Sequence, residues 1–317
     1  MKSVALIIGI FLLVQAVNAQ NLEDSLRLEY TKTNADTARI RILHQLFELS
    51  NNRAPEEAKR FILEALDLSE NNDYLELQVA SLNRYADFLR TQSQDDSALV
   101  VNTKSLRLSR KIAFLEGQSK ALLGLGSSYA RTGGFDEANK YLEQSLKIAS
   151  ERNDSLSIAD SYMVLGAMHT QKVEYTEAMD LMTRASLIYQ NLGEKRKLSR
   201  ALGNIGFVHR NLGNFKKAES YYMDSDILAS QLNFTSQQAF NAYNLSIIYR
   251  KLGQLDRAIT SNQKAIDIYD KLGDQKRVSF GYFTMGKIHW EKESFETALN
   301  YYKQSLAISE NVRDSVN

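Results

Sequence analysis

The amino-acid sequence predicts an all-α solenoid built from about seven stacked helix pairs. Alanine recurs every 40 residues without slippage, at Ala58, Ala98, Ala138, Ala178, Ala218, Ala258 and Ala298. Small residues keep the same phase: six of the seven positions twelve residues before each alanine, and all seven positions seven residues after it, hold Gly, Ala or Ser. A fixed period of this length is the signature of a helical repeat. Small side chains at fixed places let two helices approach closely.

Residues 202–225 form the clearest copy of the repeat, reading as a helix, a turn at Gly213 and a second helix. Gly133 and Gly253 share the phase of Gly213, where a helix must end and the backbone often turns through positive φ. The other repeats hold Arg53, Ser93, Val173 and Glu293 at this place, which predicts less ideal turns. Pro55 is expected to start the second helix of the first repeat.

Residues 1–19 are interpreted as a secretory signal peptide. Lys2 provides a basic start, residues 4–17 are an apolar run, and Ala19 ends a small-residue site before a cut at Gln20. The apolar run is short for a membrane span, which needs about 20 residues, so an uncleaved anchor is the less favoured alternative. Residues 20–38 are predicted to form an N-terminal capping helix and linker, because Ser25-Leu26 keeps the phase of Ser105-Leu106. Residues 39–317 then hold seven 40-residue repeats.

Composition argues against several classes of function. The whole chain has 39 basic and 38 acidic residues, a balance that does not predict a nucleic-acid partner, and it has no cysteine. No nucleophile, base and orienting residue can be assembled, so neither catalysis nor a cofactor is predicted. Gly124 and Gly126 lack the Gly-Lys-Ser/Thr of a phosphate loop.

Three of the four histidines, His169, His209 and His289, are separated from one another by multiples of 40 residues. A row of metal ligands is one interpretation of this spacing. The same column also holds Leu49, Leu89, Tyr129 and Tyr249, which favours a packing position, so no metal site is predicted. Buried neutral imidazoles would have pKa values below the usual 6.5 or so.

The chain resembles the tetratricopeptide repeat family through Ile205-Gly206, Gly213, Ala218, Tyr222 and Ser225. The resemblance covers residues 39–313, with a spacing similar to the 40-residue variant of kinesin light chains and bacterial peptide-sensing regulators. It implies a right-handed α–α superhelix whose first helices line a concave groove.

In that groove, a partner-binding site is predicted on the first helices of the last three repeats. Its residues are Asn204, Phe207, Arg210, Phe240, Tyr243, Asn244, Ile247, Arg250, Phe283 and Trp290, with Phe280 beside them. The rings would supply buried area and the arginines would grip carboxylates. Burial of these rings between repeats is an equally weighted alternative. Asn204 and Asn244 stand where relatives use asparagine to hold a ligand backbone, but the lysines of the carboxylate clamp are absent.

The resulting hypothesis is a non-catalytic scaffold, exported to the periplasmic or extracellular face of a bacterial cell, that binds a peptide or protein segment and does not insert into the membrane. The alternative is a truncated N-terminal sensory region of a membrane-bound bacterial signalling regulator. Leu299, Tyr302 and Leu306 of the last helix are predicted to lack a neighbour. A continuing chain or end-to-end self-association through the last repeat would cover them.

Overall fold

The computed structural model describes residues 21–51 and 54–314. The predicted signal peptide at 1–19, and Arg53 at the first turn, lie outside these residues. The described residues form fifteen helices: α1 (21–32), α2 (Asp36–Ser50), α3 (Pro55–Asn71), α4 (Leu75–Thr91), α5 (Asp95–Lys111), α6 (Leu115–Thr132), α7 (Phe135–Glu151), α8 (Ser155–Gln171), α9 (Tyr175–Leu192), α10 (Lys195–Asn211), α11 (Phe215–Gln231), α12 (Thr235–Lys251), α13 (Leu255–Lys271), α14 (Gln275–Glu291) and α15 (Phe295–Asp314).

The chain divides into two compact units, the first ending at Met168 and the second beginning at His169. Within each unit, a first helix packs on the second helix of its own repeat, as α6 does on α7 and α14 on α15. First helices of successive repeats also touch, as α10 does α12 and α12 does α14. The predicted all-α architecture of stacked helix pairs is confirmed.

The phased alanines mark where paired helices meet. All seven are completely buried, at 0% exposure. The phased glycines lie where the first helix meets the second helix of the same repeat, and they leave room for its side chains. A Cβ on Gly126 would lie 2.6 Å from Cγ of Leu142, and one on Gly286 would lie 2.5 Å from the Tyr302 ring. The repeat period therefore records close helix approach, as predicted.

The phased serines do more than supply small size. In three repeats, each serine hydroxyl of a pair donates to the backbone carbonyl of the other, joining the first helix to the second: Ser119 with Ser145, Ser199 with Ser225, and Ser279 with Ser305. The Oγ–O distances lie between 2.7 and 3.2 Å. These reciprocal bonds satisfy polar groups that a tightly packed interface would otherwise leave unpaired.

Left-handed backbone occurs at every turn from Asp73 to Glu293, at intervals of 20 residues. Gly133, Gly213 and Gly253 adopt φ of 86°, 75° and 73°, as predicted. Ser93, Val173 and Glu293 adopt the same conformation, with φ of 59°, 65° and 59°. The turns without glycine therefore share the shape of the others and differ in strain, which is greatest for β-branched Val173.

The N-terminal helix α1 packs on the first repeat. Leu26 is buried and Tyr30 partly buried in a cluster with Ile40, Phe47 and Ile62. Arg27 forms ion pairs with Glu23 of its own helix and with a carboxylate of α3. The α1 side chains thus cover part of the core of the first unit.

The last helix exposes part of the face predicted to lack a neighbour. Leu306 is 60% exposed, whereas Ile266, 40 residues earlier, is 3% exposed because Gly281 of α14 covers it. Leu299 is also exposed, and Tyr302 is half-buried with its ring against Gly286 of the same repeat. None of the helices in the described part of the chain is long and apolar enough to span a membrane.

The histidine column has two environments. His209 stacks on Tyr221 and His289 stacks on Tyr301, with ring centroids 5.3 and 5.2 Å apart. Burial lowers the pKa of both imidazoles below the usual value. His169 instead places Nδ1 2.6 Å from Oε2 of Glu174, so the shared packing role does not extend to it. Among the described residues, no three potential ligands are grouped to hold a metal ion.

The fourth histidine, His44, is the most deeply buried. Ser81 donates its hydroxyl to the Leu77 carbonyl at 2.9 Å, so Nε2–H of His44 donates to Ser81 Oγ at 2.8 Å. Burial, with a smaller contribution from Arg84, lowers the pKa of His44 to about 3. The folded protein therefore holds this imidazole neutral.

Acid is expected to destabilise the first unit through His44. Its folded pKa lies below the unfolded value of about 6.5, so the unfolded chain binds the extra proton, and stability is lost as pH falls below about 6.5. From pH 7.5 to pH 5 we expect a loss of about 2 kcal/mol from this residue. Urea titrations at the two pH values would measure it, with His44→Leu as the comparison. An equal loss in His44→Leu would contradict the assignment.

Candidate interaction surface

Side chains spaced three and four residues apart form one stripe along each of α10, α12 and α14, all in the second unit. This first-helix stripe comprises Arg196, Arg200, Gly203, Phe207 and Arg210 on α10; Phe240, Tyr243, Ile247 and Arg250 on α12; and Lys276, Phe280, Phe283, Lys287 and Trp290 on α14. Residues at this spacing lie on one side of an α-helix. The stripe contains eight of the ten predicted site residues; Asn204 and Asn244 lie beside it.

Exposure of the rings increases at α14. Phe207, Phe240, Tyr243 and Ile247 are half-buried, since α10, α12 and α14 lie side by side. On α14, Phe280, Phe283 and Trp290 are 49%, 44% and 58% exposed. The two alternatives from the sequence therefore apply to different helices: earlier rings are partly buried between repeats, and the α14 rings face outward.

Tyr222 of α11 lies beneath the α10 and α12 part of the stripe. It is completely buried, its ring lies against Gly206, and Phe240 meets it edge-on with centroids 6.1 Å apart. Phe207 and Phe240 pack around the same cluster. The two stripe rings are thus supported from below by a side chain of the second helix.

Arg210 is held in place by neutral groups. Its guanidinium carbon lies 4.5 Å from the centroid of the Phe207 ring. It donates to Oδ1 of Asn244 and, at 3.2 Å, to Oδ1 of Asn211. In the described part of the chain, Arg210 has no carboxylate partner.

Asn244, one of the predicted site residues, forms hydrogen bonds within the fold, and its contact with a ligand stays a prediction. Its side chain is buried, accepts from Arg210, and donates through Nδ2 to the Phe240 carbonyl at 2.8 Å. Both ends of the amide are therefore used within the fold, where they position Arg210. Asn204, its counterpart on α10, is half-buried.

Arg250 lies 40 residues after Arg210, at the same position of the next repeat, but its burial and its hydrogen-bond partners differ. Its side chain is only 14% exposed and forms an ion pair with Glu291 of α14. Thr284 of α14 also donates to the Tyr243 hydroxyl at 3.4 Å. These two contacts join the α12 and α14 parts of the stripe and leave Arg250 already neutralised.

The α14 end of the stripe combines rings with a cation. Lys287 Nζ lies 4.4 Å from the Phe283 ring centroid, and Trp290 meets Phe295 edge-on at 4.9 Å. Phe283 also packs on Tyr302 at 5.5 Å. The rings are therefore supported from one side and open on the other.

Charge is segregated between the two kinds of helix in the second unit. Helices α10, α12 and α14 together hold ten Lys or Arg residues and one acidic residue, Glu291. Helices α11, α13 and α15 hold seven basic and nine acidic residues. The whole-chain balance conceals this difference, and adding up charge helix by helix would have revealed it.

A stack of helix pairs repeated every 40 residues defines the class of α-helical repeat scaffolds. One family model of the tetratricopeptide repeat matches residues 77–151 and 238–311, and a second model of the same repeat matches residues 199–226. The chain belongs to the tetratricopeptide repeat family.

Individual relatives are distant. The chain is 20% identical over 258 residues to a kinesin light chain-related protein of Arabidopsis thaliana, covering 77% of this chain and 38% of the relative. Among solved structures, a signal transduction ATPase with a tetratricopeptide repeat sensor from Pyrococcus horikoshii matches with a TM-score of 0.70 at 16% identity, over 96% of this chain and 45% of that one. A Rap protein complexed with competence and sporulation factor matches with a TM-score of 0.66 at 15% identity, over 99% of both.

These likenesses support the fold and the repeat variant predicted from the sequence. The chain spans between about a third and a half of the length of three curated relatives that it matches, at 34%, 49% and 38%.

Proposed function

We propose that the first-helix stripe binds a segment of a protein partner and that the chain acts as a non-catalytic scaffold. The observation that carries the proposal is the row of exposed rings Phe280, Phe283 and Trp290, in line with the half-buried stripe residues of α10 and α12. Neighbouring exposed aromatic side chains are a usual mark of interaction sites.

The geometry favours a short segment over a large flat partner. The exposed rings follow one helix, first one turn and then two turns apart, so the apolar side chains of a segment lying along α14 could meet them in succession. The Rap neighbour, which has a similar fold, is complexed with competence and sporulation factor, and this supports the same kind of use here.

Removing the α14 rings is expected to abolish binding of peptides selected on the wild-type protein. Peptides would be selected from a random 12-residue display library on residues 20–317, and their affinity measured by fluorescence anisotropy. Phe280→Ala, Phe283→Ala and Trp290→Ala together should weaken binding at least 100-fold, because aromatic anchors carry about 2 kcal/mol or more each.

The matched control removes three exposed apolar side chains from second helices of the same unit, through Leu187→Ala, Met223→Ala and Ile227→Ala. It should retain wild-type affinity. Failure to select any peptide, or equal affinity in the two triple variants, would overturn the proposed site. Sedimentation equilibrium would show whether a second copy occupies the stripe or the exposed Leu299 and Leu306 instead.

We further propose that the protein is exported and cleaved before Gln20, which places it in the periplasm or outside a bacterial cell. The signal-like composition of residues 1–19 supports this. N-terminal sequencing of the protein from its native host should begin at Gln20, and retention of Met1 would contradict cleavage.

A second candidate function is the sensory part of a signalling protein. The match between 96% of this chain and part of an ATPase described as having a tetratricopeptide repeat sensor favours it. Reading the gene past Asn317 tests this candidate, which requires a membrane span or output domain to follow; a stop codon there would count against it.

A further inference from the structure

We infer that α15 is the interface of a homodimer, in which this helix packs antiparallel against the α15 of a second copy of the chain. The inference is independent of the proposed function, since it concerns an outer face of α15 and not the rings of α14. Two observations carry it: an exposed pair of leucines on that face and the order of the charges around them.

One face of α15 is exposed along most of the helix. Its residues recur at alternating intervals of four and three, a spacing that keeps side chains on one side of an α-helix. They form the α15 outer face, which consists of Leu299, Lys303, Leu306, Glu310 and Arg313. Ser305 and Tyr301, which contact α14, lie outside this face. The α15 outer face is therefore available to another molecule.

The two leucines of this face resemble a position that the fold elsewhere covers with a helix. Leu299 and Leu306 are 54% and 60% exposed. Ile266 of α13, at the Leu306 position of the preceding repeat, is 3% exposed because α14 packs on it through Gly281. A further helix lying on α15 would bury both leucines, and the removal of apolar area from water favours such a contact.

The charges of the α15 outer face indicate which helix fits. Lys303 precedes Leu306 by about one turn, and Glu310 follows it by about one turn. In the part of the chain that the structure describes, neither side chain forms an ion pair or a hydrogen bond. The point midway between them along the helix lies beside Leu306. Two copies of α15 that run in opposite directions through this point would place each Lys303 opposite the Glu310 of the other copy.

Such an interface is isologous, because one patch meets the same patch of a second copy. The two Leu306 side chains would meet at the two-fold axis, and the apolar stem of each Arg313 would lie over Leu299 of the other copy. A uniformly acidic or basic partner could satisfy only one of the two charges beside Leu306, whereas an antiparallel copy satisfies both. The α15 outer face is thus complementary to itself.

A mixing experiment tests this pairing. For residues 20–317, sedimentation velocity across a concentration series should show a reversible equilibrium between monomer and dimer. Lys303→Glu and Glu310→Lys should each weaken the dimer about ten-fold or more, because two contacts between like charges replace two between opposite charges.

An equimolar mixture of these two variants, one of them fluorescently labelled, should form dimers again. In the mixed dimer, the carboxylate introduced at position 303 faces the amine introduced at position 310, and the unchanged Glu310 and Lys303 face each other. Restoration by mixing requires that each copy contributes the same helix in the opposite direction.

Leu306→Glu should abolish the dimer. Its matched control is Leu187→Glu, which alters a similarly exposed leucine on the second helix α9 and should leave the dimer unchanged. Circular dichroism would verify that both variants are folded.

Three outcomes would overturn the inference. A wild-type chain that stays monomeric would assign the α15 outer face to a different occupant, such as a further repeat. Oligomers that keep growing beyond the dimer would indicate head-to-tail contact with α1, where Leu22 and Leu28 are exposed. A mixture with no more dimer than its separate components would rule out the antiparallel pairing. Each of these outcomes leaves the peptide site proposed on α14 standing.

Discussion

Replacing Tyr222 by alanine is expected to destabilise the second unit by about 3–5 kcal/mol. Tyr222 is completely buried, and its ring contacts Gly206 of α10 and Phe240 of α12. Truncation would leave a cavity where two repeats meet, and helices on both sides would lose contacts. Because repeat proteins can unfold in parts, hydrogen exchange of the α10–α13 amides is the appropriate measurement.

Tyr222→Phe separates packing from polarity. The tyrosine hydroxyl is buried without a hydrogen-bond partner among the described residues, and burial raises the pKa of the phenol. Removing an unpaired hydroxyl should cost less than about 1 kcal/mol and could stabilise the protein. A loss in Tyr222→Phe as large as in Tyr222→Ala would show that the hydroxyl, and not the ring, supports this region.

Replacing Gly126 by leucine is expected to destabilise the first unit by about 3 kcal/mol, at the upper end of the usual cost of overpacking. A Cβ at this position would lie 2.6 Å from Leu142 Cγ and 3.2 Å from the Ala138 carbonyl oxygen. Both neighbours are completely buried and belong to α7, so neither can move without shifting that helix. Urea unfolding followed by circular dichroism would measure the loss.

Lys120→Leu is the control for this substitution, since Lys120 lies on the same helix α6 with an exposed side chain. Leucine there should change stability by less than about 0.5 kcal/mol, as surface substitutions usually do. If both leucine variants were equally stable, close approach of α6 and α7 would not explain the phased glycine.

The sequence identified the repeat, its register and its turns because these depend on residue size at fixed spacing. Alanine at Ala218 and glycine at Gly206 leave few alternatives when two helices must pack closely. The same pattern could not distinguish a serine that is merely small from Ser199, whose hydroxyl bonds to the Ser225 carbonyl.

The sequence predicted where the candidate site lies. The role of each residue in the site could be assigned only from the structure. Arg210 and Arg250 occupy the same position in successive repeats and looked equivalent, yet among the residues that the structure describes only Arg250 of the two has a carboxylate partner, Glu291. Asn244 looked available to a ligand and is used to hold Arg210. Each difference depends on which side chain of the next helix lies opposite, and repeat spacing does not encode that.

The sequence by itself determined that this protein is a stack of helix pairs. A 40-residue period is typical of a helical repeat, and small residues at fixed positions within it indicate places where two helices pack closely. The tertiary structure alone decided which rings remain exposed and that Arg250 pairs with Glu291. Exposure and ion pairing are set by the neighbouring repeat, so identical positions along the chain acquire different properties once the helices are packed.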